Sequence, residues 1–84
     1  MVITFDEIKR RSNIVKHRRD FAELDMEFFD RALVLSAKQG RMLAIGRFED
    51  TIVTVVFKPL GAEALSVISM RNASYKERKL LWQN

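Results

Sequence analysis

Residues 64–82, ALSVISMRNASYKERKLLW, run an apolar stretch straight into a basic one. Leu65-Ser66-Val67-Ile68-Ser69-Met70 alternates loosely with period two and carries enough β-branched side chains to read as a half-buried strand. Arg71 falls at its exit. Ser74 and Glu77 then make an S-x-x-E pair, in which the Ser hydroxyl accepts from the Glu amide and the Glu carboxylate reaches back to the Ser amide. The pattern predicts a helix from Tyr75, with Lys76, Arg78 and Lys79 exposed and Tyr75, Leu81 and Trp82 packed inward. Such a junction sets charged side chains at the rim of a sheet, where a solvated ligand can reach them.

Working back from this junction, Thr51-Ile52-Val53-Thr54-Val55-Val56-Phe57 is apolar on both faces at once, as expected of a central strand, and Pro59 sits at its end where a missing amide donor does little harm. Residues Ala32 to Ala37, Arg41 to Phe48, Thr51 to Pro59 and Ala64 to Met70 read as four strands. The short connections Lys38-Gln39-Gly40, Glu49-Asp50 and Leu60-Gly61 imply an antiparallel meander.

The first third of the chain has a different period. Val2 to Phe5 is a short strand, and Asp6 caps a helix running to about His17 with Glu7 in its first turn. Apolar positions are few there (Ile8, Ile14, Val15), so the helix is a basic surface element with a narrow buried stripe. Asp20 caps a second helix through Phe29, whose Phe21, Leu24 and Phe28 form one row and Ala22, Met26 and Phe29 the next. Helical spacing accounts for that aromatic stripe as core. The expected fold is α+β: a short strand, two helices, a meander of about four strands and a last helix, in one domain spanning residues 1–84.

Composition narrows the chemistry. The chain has 84 residues, no cysteine, one histidine and a net charge of +4. Disulfides and thiolate metal sites are excluded, and a small core must be supplemented by good packing or by a partner. No apolar run reaches the roughly 18–20 residues that span a bilayer, and MVITFDEIKRR lacks the order of a signal peptide, so the expectation is a cytoplasmic protein beginning at Met1. Residues 1–20 hold six basic and three acidic side chains, residues 21–35 one and four, and residues 64–84 four and one. A fold that brings the two ends together builds one positive face, with Glu23, Asp25, Glu27 and Asp30 elsewhere.

No phosphate-binding glycine loop, nucleophile elbow or zinc motif occurs, so neither a metal nor another cofactor is expected. What remains is a set of cations, one imidazole and hydroxyls: Lys16, His17, Arg47, Lys58, Arg71, Tyr75 and Arg78. Those groups suit phosphodiester chemistry. Cleaving RNA without a metal requires an activated 2′-hydroxyl, a stabilised phosphorane and a protonated leaving oxygen. One histidine does not readily serve as both acid and base, so Lys16, Tyr75 or Glu77 would share the work. Against this stands a plainer account: solvated surface charges, a histidine ending a helix, and a Glu77 that is a cap.

Several blocks resemble the BrnT-type toxins. Phe5-Asp6-Glu7-x-Lys9, Asn13-x-x-Lys16-His17, Phe21 and Phe29-x-Arg31-Ala32 resemble that family's opening, F-x-W-D-x-x-K-x-x-x-N-x-x-K-H-G-x-x-F. Leu43-Ala44-Ile45-Gly46-Arg47 is similar to its A-x-G-R segment, Val53-x-Val55-Val56-Phe57 to its V-V-V-F strand, and Ile68-Ser69-x-Arg71-x-Ala73-Ser74-x-x-Glu77-Arg78 to its I-S-A-R-x-A-T-x-x-E-R ending. The resemblance implies a RelE-like fold and a bacterial ribonuclease that cleaves mRNA, halts translation and arrests growth. It also implies a BrnA-type ribbon-helix-helix antitoxin, through which alone operator DNA is bound. Lys16, His17, Arg47 and Arg71 become the catalytic candidates, with Lys58, Tyr75 and Arg78 as RNA contacts and no metal. The chain departs from the pattern at Phe5 (Trp in the family), Arg18 (Gly), Leu81 (Tyr) and in a shorter loop before Arg41. The alternative is a non-catalytic basic domain that binds nucleic acid or protein through the same face.

Overall fold

The computed structural model describes residues 1–83. In chain order the elements are β1 (Val2–Phe5), α1 (Glu7–His17), a 3-10 turn (Phe21–Glu23), α2 (Met26–Arg31), β2 (Leu33–Ser36), a second 3-10 turn (Lys38–Gly40), β3 (Met42–Phe48), β4 (Thr51–Leu60), β5 (Ala64–Asn72) and α3 (Tyr75–Trp82). They form a five-stranded sheet of order β1-β5-β4-β3-β2. β2 to β5 pair as the antiparallel meander expected from the short loops, and β1 joins the edge parallel to β5. β4, apolar on both faces, is the central strand.

Strand alternation gives the sheet two unlike faces. Val53, Val55 and Phe57 of β4 join Leu65, Val67 and Met70 of β5 and Ala44 of β3 on the first face, beneath Phe21, Leu24, Phe28 and Phe29. Phe29 meets Phe57 edge-on at 5.3 Å, and Phe21 meets Phe5 at 5.8 Å. Gly46 permits α2 to lie close: a Cβ there would stand 3.2 Å from both Ala32 Cβ and Phe28 Cε1. The expected second helix is in fact two pieces. Asp20 caps only the 3-10 turn, Leu24 is extended at ψ 144°, and Asp25 caps α2 afresh through Phe28 N–H at 3.0 Å. Two capping aspartates five residues apart let the chain turn between rows of aromatic residues while keeping both rows on the sheet.

β5 carries a bulge. Phe57 pairs with Val67 and Val56 with Ser69, leaving Ile68 as the extra residue. Leu65 and Val67 face the core before it, and Met70 faces the core after it. Without the extra residue Ser69 would point into the core and Met70 out of it. The bulge therefore puts Ser69 and Arg71 on the second face, Arg71 opposite Thr54.

β1 stops at Phe5, opposite Val67, and α1 takes over the edge. The Asn13 side chain is 5% exposed and accepts from the Met70 N–H at 3.1 Å. Its amide donates to the Met70 carbonyl at 2.8 Å and to the Arg19 carbonyl at 2.9 Å. One carboxamide thus pairs with β5 as a further strand residue would. The expected apolar stripe of α1 is not its anchor: Ile8 and Val15 are exposed, Ile14 is half-buried, and Asn13 is the buried residue. At the helix end Arg18 is left-handed (φ 55°, ψ 34°) and its N–H reaches the Ile14 carbonyl. The bend that glycine would favour is kept by an arginine, at a strain of about 1 kcal/mol. Arg10 holds the following turn in place, its guanidinium donating to Asp20 at 2.7 and 3.0 Å and to Glu7 at 2.6 Å. The guanidinium keeps the Asp20 carboxyl below the usual carboxylate range.

α3 crosses the second face. Its capping box forms as the spacing predicts, with Glu77 N–H to Ser74 Oγ at 3.2 Å and Ser74 N–H to Glu77 Oε1 at 2.8 Å. Glu77 does more than cap: it accepts from Thr54 Oγ1 at 3.0 Å and from both terminal nitrogens of Arg71 at 2.7 and 2.9 Å. Hydrogen bonding by Arg71, opposed by burial and aided by Ser74 and Thr54, lowers the Glu77 carboxyl to about 2. The inward packing expected for α3 fails at both aromatic residues, since Tyr75 and Trp82 are exposed and Leu81 is half-buried. The polar cluster at Glu77 fixes the helix rotation, and it turns both rings out to solvent.

Two stability outcomes follow. Asn13→Ala leaves the Met70 groups and the Arg19 carbonyl without their side-chain partner, and should cost about 3 kcal/mol in denaturant unfolding. An unchanged midpoint would show that α1 is held otherwise. Glu77 binds fewer protons folded than unfolded between about pH 4.5 and 2, so its contribution is complete above that window and is lost as pH falls through it. Glu77→Gln should therefore be less stable by about 2 kcal/mol at neutral pH, with the gap to wild type closing on acidification through the window. A gap constant with pH would refute the assignment.

Candidate active site

The second face is divided by chemistry. Lys9, Ser12, Asn13 and Lys16 recur at i, i+3, i+4 and i+7 on one flank of α1, and with His17 they line a groove against Ile68 and Ser69 of β5. An adjoining depression shares Lys9 and Ile68 and adds Gln39, Arg41, Lys58, Leu60 and Ser66. Arg41, Lys58 and Ser66 fall on one cross-strand row, because Met42 pairs with Phe57 and Lys58 with Ser66. Together they form a trough of five basic side chains (Lys9, Lys16, His17, Arg41, Lys58) over three serine hydroxyls. Among the described residues, no carboxylate lines it.

The structure brings together Lys16, His17 and Lys58 of the expected residues. His17 and Lys16 occupy the last turn of α1, adjacent in sequence yet both facing the groove by Ser69. Arg71 lies two residues beyond Ser69 on the same face of β5, and its two terminal nitrogens are engaged by Glu77. The carboxylate raises the Arg71 guanidinium further above its already high range. Glu77 is thereby committed as a cap and ion-pair partner. Tyr75 and Arg78 are exposed on α3.

Arg47 is apart from the others. It sits two strands from Arg71 and opens on a different cleft of about 530 Å³, lined by Glu23, Asp25, Glu27, Arg31, Phe28 and Leu81 among others. Glu23, Asp25 and Glu27 thus line a cleft separate from the basic trough, as the charge distribution suggests, but the trough draws its cations from α1, Arg41 and Lys58 and none from the basic C-terminal segment expected to join it. Sequence reasoning missed Lys9 and Arg41 as members of the trough. Lys9 was legible as the i−7 neighbour of Lys16 on one helical flank, and Arg41 as the cross-strand neighbour of Lys58 once the hairpin register is set.

Among the described residues, no group of histidine, cysteine or carboxylate side chains is placed to hold a metal ion. No helix among them is long and apolar enough to cross a membrane. What the trough can do is bind a polyanion along its cations and move protons at the His17 end.

Comparison with known proteins places this architecture. No curated protein sequence matches the chain. A solved structure does: the 1.1 Å crystal structure of the ribonuclease toxin BrnT of Brucella abortus. It is 56% identical to this chain, superposes with a TM-score of 0.84, and the match covers 88% of this chain and 97% of that one. The family model for the ribonuclease toxin BrnT of type II toxin–antitoxin systems matches residues 5–77, which take in α1, every strand from β2 to β5 and the capping box of α3. With the family model matching residues 5–77 and a solved relative 56% identical over 88% of its length, the chain belongs to the BrnT family of ribonuclease toxins of type II toxin–antitoxin systems.

Proposed function

We propose that residues 1–84 act as one toxin domain that cleaves mRNA in the basic trough without a metal, and so halts translation in the cytoplasm. The observation that carries this reading is the trough itself, in which cations and hydroxyls stand where a metal-dependent nuclease would need carboxylates. RNA would lie along Lys9, Arg41 and Lys58, its phosphates paired with their charges. At the α1 end, Lys16 and His17 divide the two proton transfers. One accepts the 2′-hydroxyl proton as the 2′-oxygen bonds to phosphorus. The other protonates the 5′-oxygen as its bond to phosphorus breaks, giving a 2′,3′-cyclic phosphate and a 5′-hydroxyl. Arg71 stabilises the phosphorane charge from the next position on β5, and Arg78 and Tyr75 contact RNA beyond it. Arg47, in the family pattern, would meet only RNA that extends past α3.

The partner is an antitoxin. The family resemblance argues for a BrnA-type ribbon-helix-helix protein that neutralises the toxin and carries the complex to operator DNA. One observation favours a second reading, a binder without catalysis: Glu77 occupies both terminal nitrogens of Arg71.

His17→Ala and Lys16→Ala, both at exposed positions, should keep the wild-type melt. Each should lower cleavage of single-stranded RNA by a factor on the order of 10² to 10⁴. Chelator should leave wild-type cleavage unchanged. Cleavage abolished by chelator removes the metal-independent mechanism; RNA binding without cleavage, with and without ribosomes, favours the binder.

A further inference from the structure

The outer side of α3 is used neither by the core nor by the trough. Tyr75 and Trp82 are 63% and 62% exposed there. They are seven residues apart, two helical turns, so they project from one side about 10 Å apart along the axis. Lys79 stands in the same row between them, four residues after Tyr75 and three before Trp82. Lys76 and Arg78 flank the row and are exposed. The one carboxylate of the helix, Glu77, is turned inward to Arg71 and Thr54. The exposed side is therefore cationic, with two bare rings.

Rings interleaved with cations are what a single-stranded nucleic acid requires: π-faces for the bases and charges for the phosphates. A protein partner's contact core is typically depleted in lysine, and here lysine separates the rings. The position is also suitable, because α3 begins three residues after Asn72 at the end of β5, the strand that carries Ser69 and Arg71.

We propose that the outer face of α3 is a stacking platform for single-stranded RNA leaving the trough past Arg71, with Tyr75 and Trp82 each taking a base and Lys79 pairing with the phosphate between them. It rests on the RNA-cleavage reading and extends it from the scissile phosphate to the flanking nucleotides.

Trp82 is the one tryptophan of the chain, so its emission reports this face alone. The probe is a mixed-sequence 2′-O-methyl RNA 10-mer, uncleavable for want of a free 2′-hydroxyl, beside an abasic oligomer with the same phosphates. The base-bearing oligomer should quench Trp82 and the abasic one should not. Trp82→Ala should weaken binding about tenfold, while Trp82→Phe retains most of it. Lys79→Ala should lower the slope of log affinity against log salt by about 0.7. If Trp82→Ala melts below wild type, the comparison of oligomers on the wild-type chain and the Trp82→Phe variant decide the matter. Equal quenching by both oligomers, or binding that is unaffected by Trp82→Ala and leaves the Trp82 emission of the wild-type chain unchanged, overturns the platform and leaves the trough standing. Loss of neutralisation by the antitoxin in Trp82→Ala, with RNA binding intact, overturns it in favour of a protein contact. A wild-type chain that binds neither oligomer and cuts no RNA brings down the cleavage reading and this one together.

Discussion

The placement of the basic trough depends on one buried carboxamide. β1 ends opposite Val67, and the edge of β5 beyond it would face the helix with its peptide groups bare. Asn13 completes the Met70 pairing with an acceptor and a donor at once, its carboxamide presenting the same C=O and N–H groups that a strand backbone would. Because that bond sets the rotation of α1, Lys9, Ser12 and Lys16, on the same flank, are carried to the groove side. A helix with only one well-buried side chain is thus given a defined phase. Arg10 on Asp20 then holds the turn that follows.

The bulge at Ile68 is the companion device on the strand. It shifts the parity of β5 so that Met70 enters the core while Ser69 and Arg71 emerge on the second face. Thr54, fully buried on β4, is opposite Arg71, and Glu77 from α3 binds both. This ion pair is only partly exposed and is tied to a hydroxyl and a helix cap, so its geometry is better fixed than that of a surface pair. It anchors α3 by polar contacts, which explains how a helix ending in Leu80-Leu81-Trp82 can leave an indole in solvent.

Much of this was legible in the sequence. The capping box, the central strand and the hairpin connections follow from local chemistry that tertiary packing had no reason to override. The bulge was visible only as a loose alternation: Leu65 and Val67 are in phase with each other and Met70 is not. The break at Leu24-Asp25 was hidden because Phe21, Leu24 and Phe28 keep helical spacing across it, and spacing does not distinguish one helix from a turn followed by another. The inward reading of Tyr75 and Trp82 failed for a related reason. Hydrophobicity predicts which face a helix buries when apolar contacts hold it, whereas here a carboxylate decides. Of the site, Lys16, His17 and Lys58 were found as isolated cations; their common groove with Lys9 and Arg41 required the register of β3 against β4 and the phase of α1.

Charge separation is the remaining consequence. The acidic segment opens on a cleft with Arg47 and Arg31, and the trough on the α1 side of the second face holds cations and hydroxyls. An approaching polyanion is thereby directed to one surface. The most direct measurement is residue-by-residue amide shift mapping as the uncleavable RNA oligomer is added. Perturbations centred on Lys9, Lys16, His17, Ser69 and Lys58 are the result expected; perturbations confined to Glu23–Glu27 and Phe48–Glu49, with the trough silent, would contradict the account.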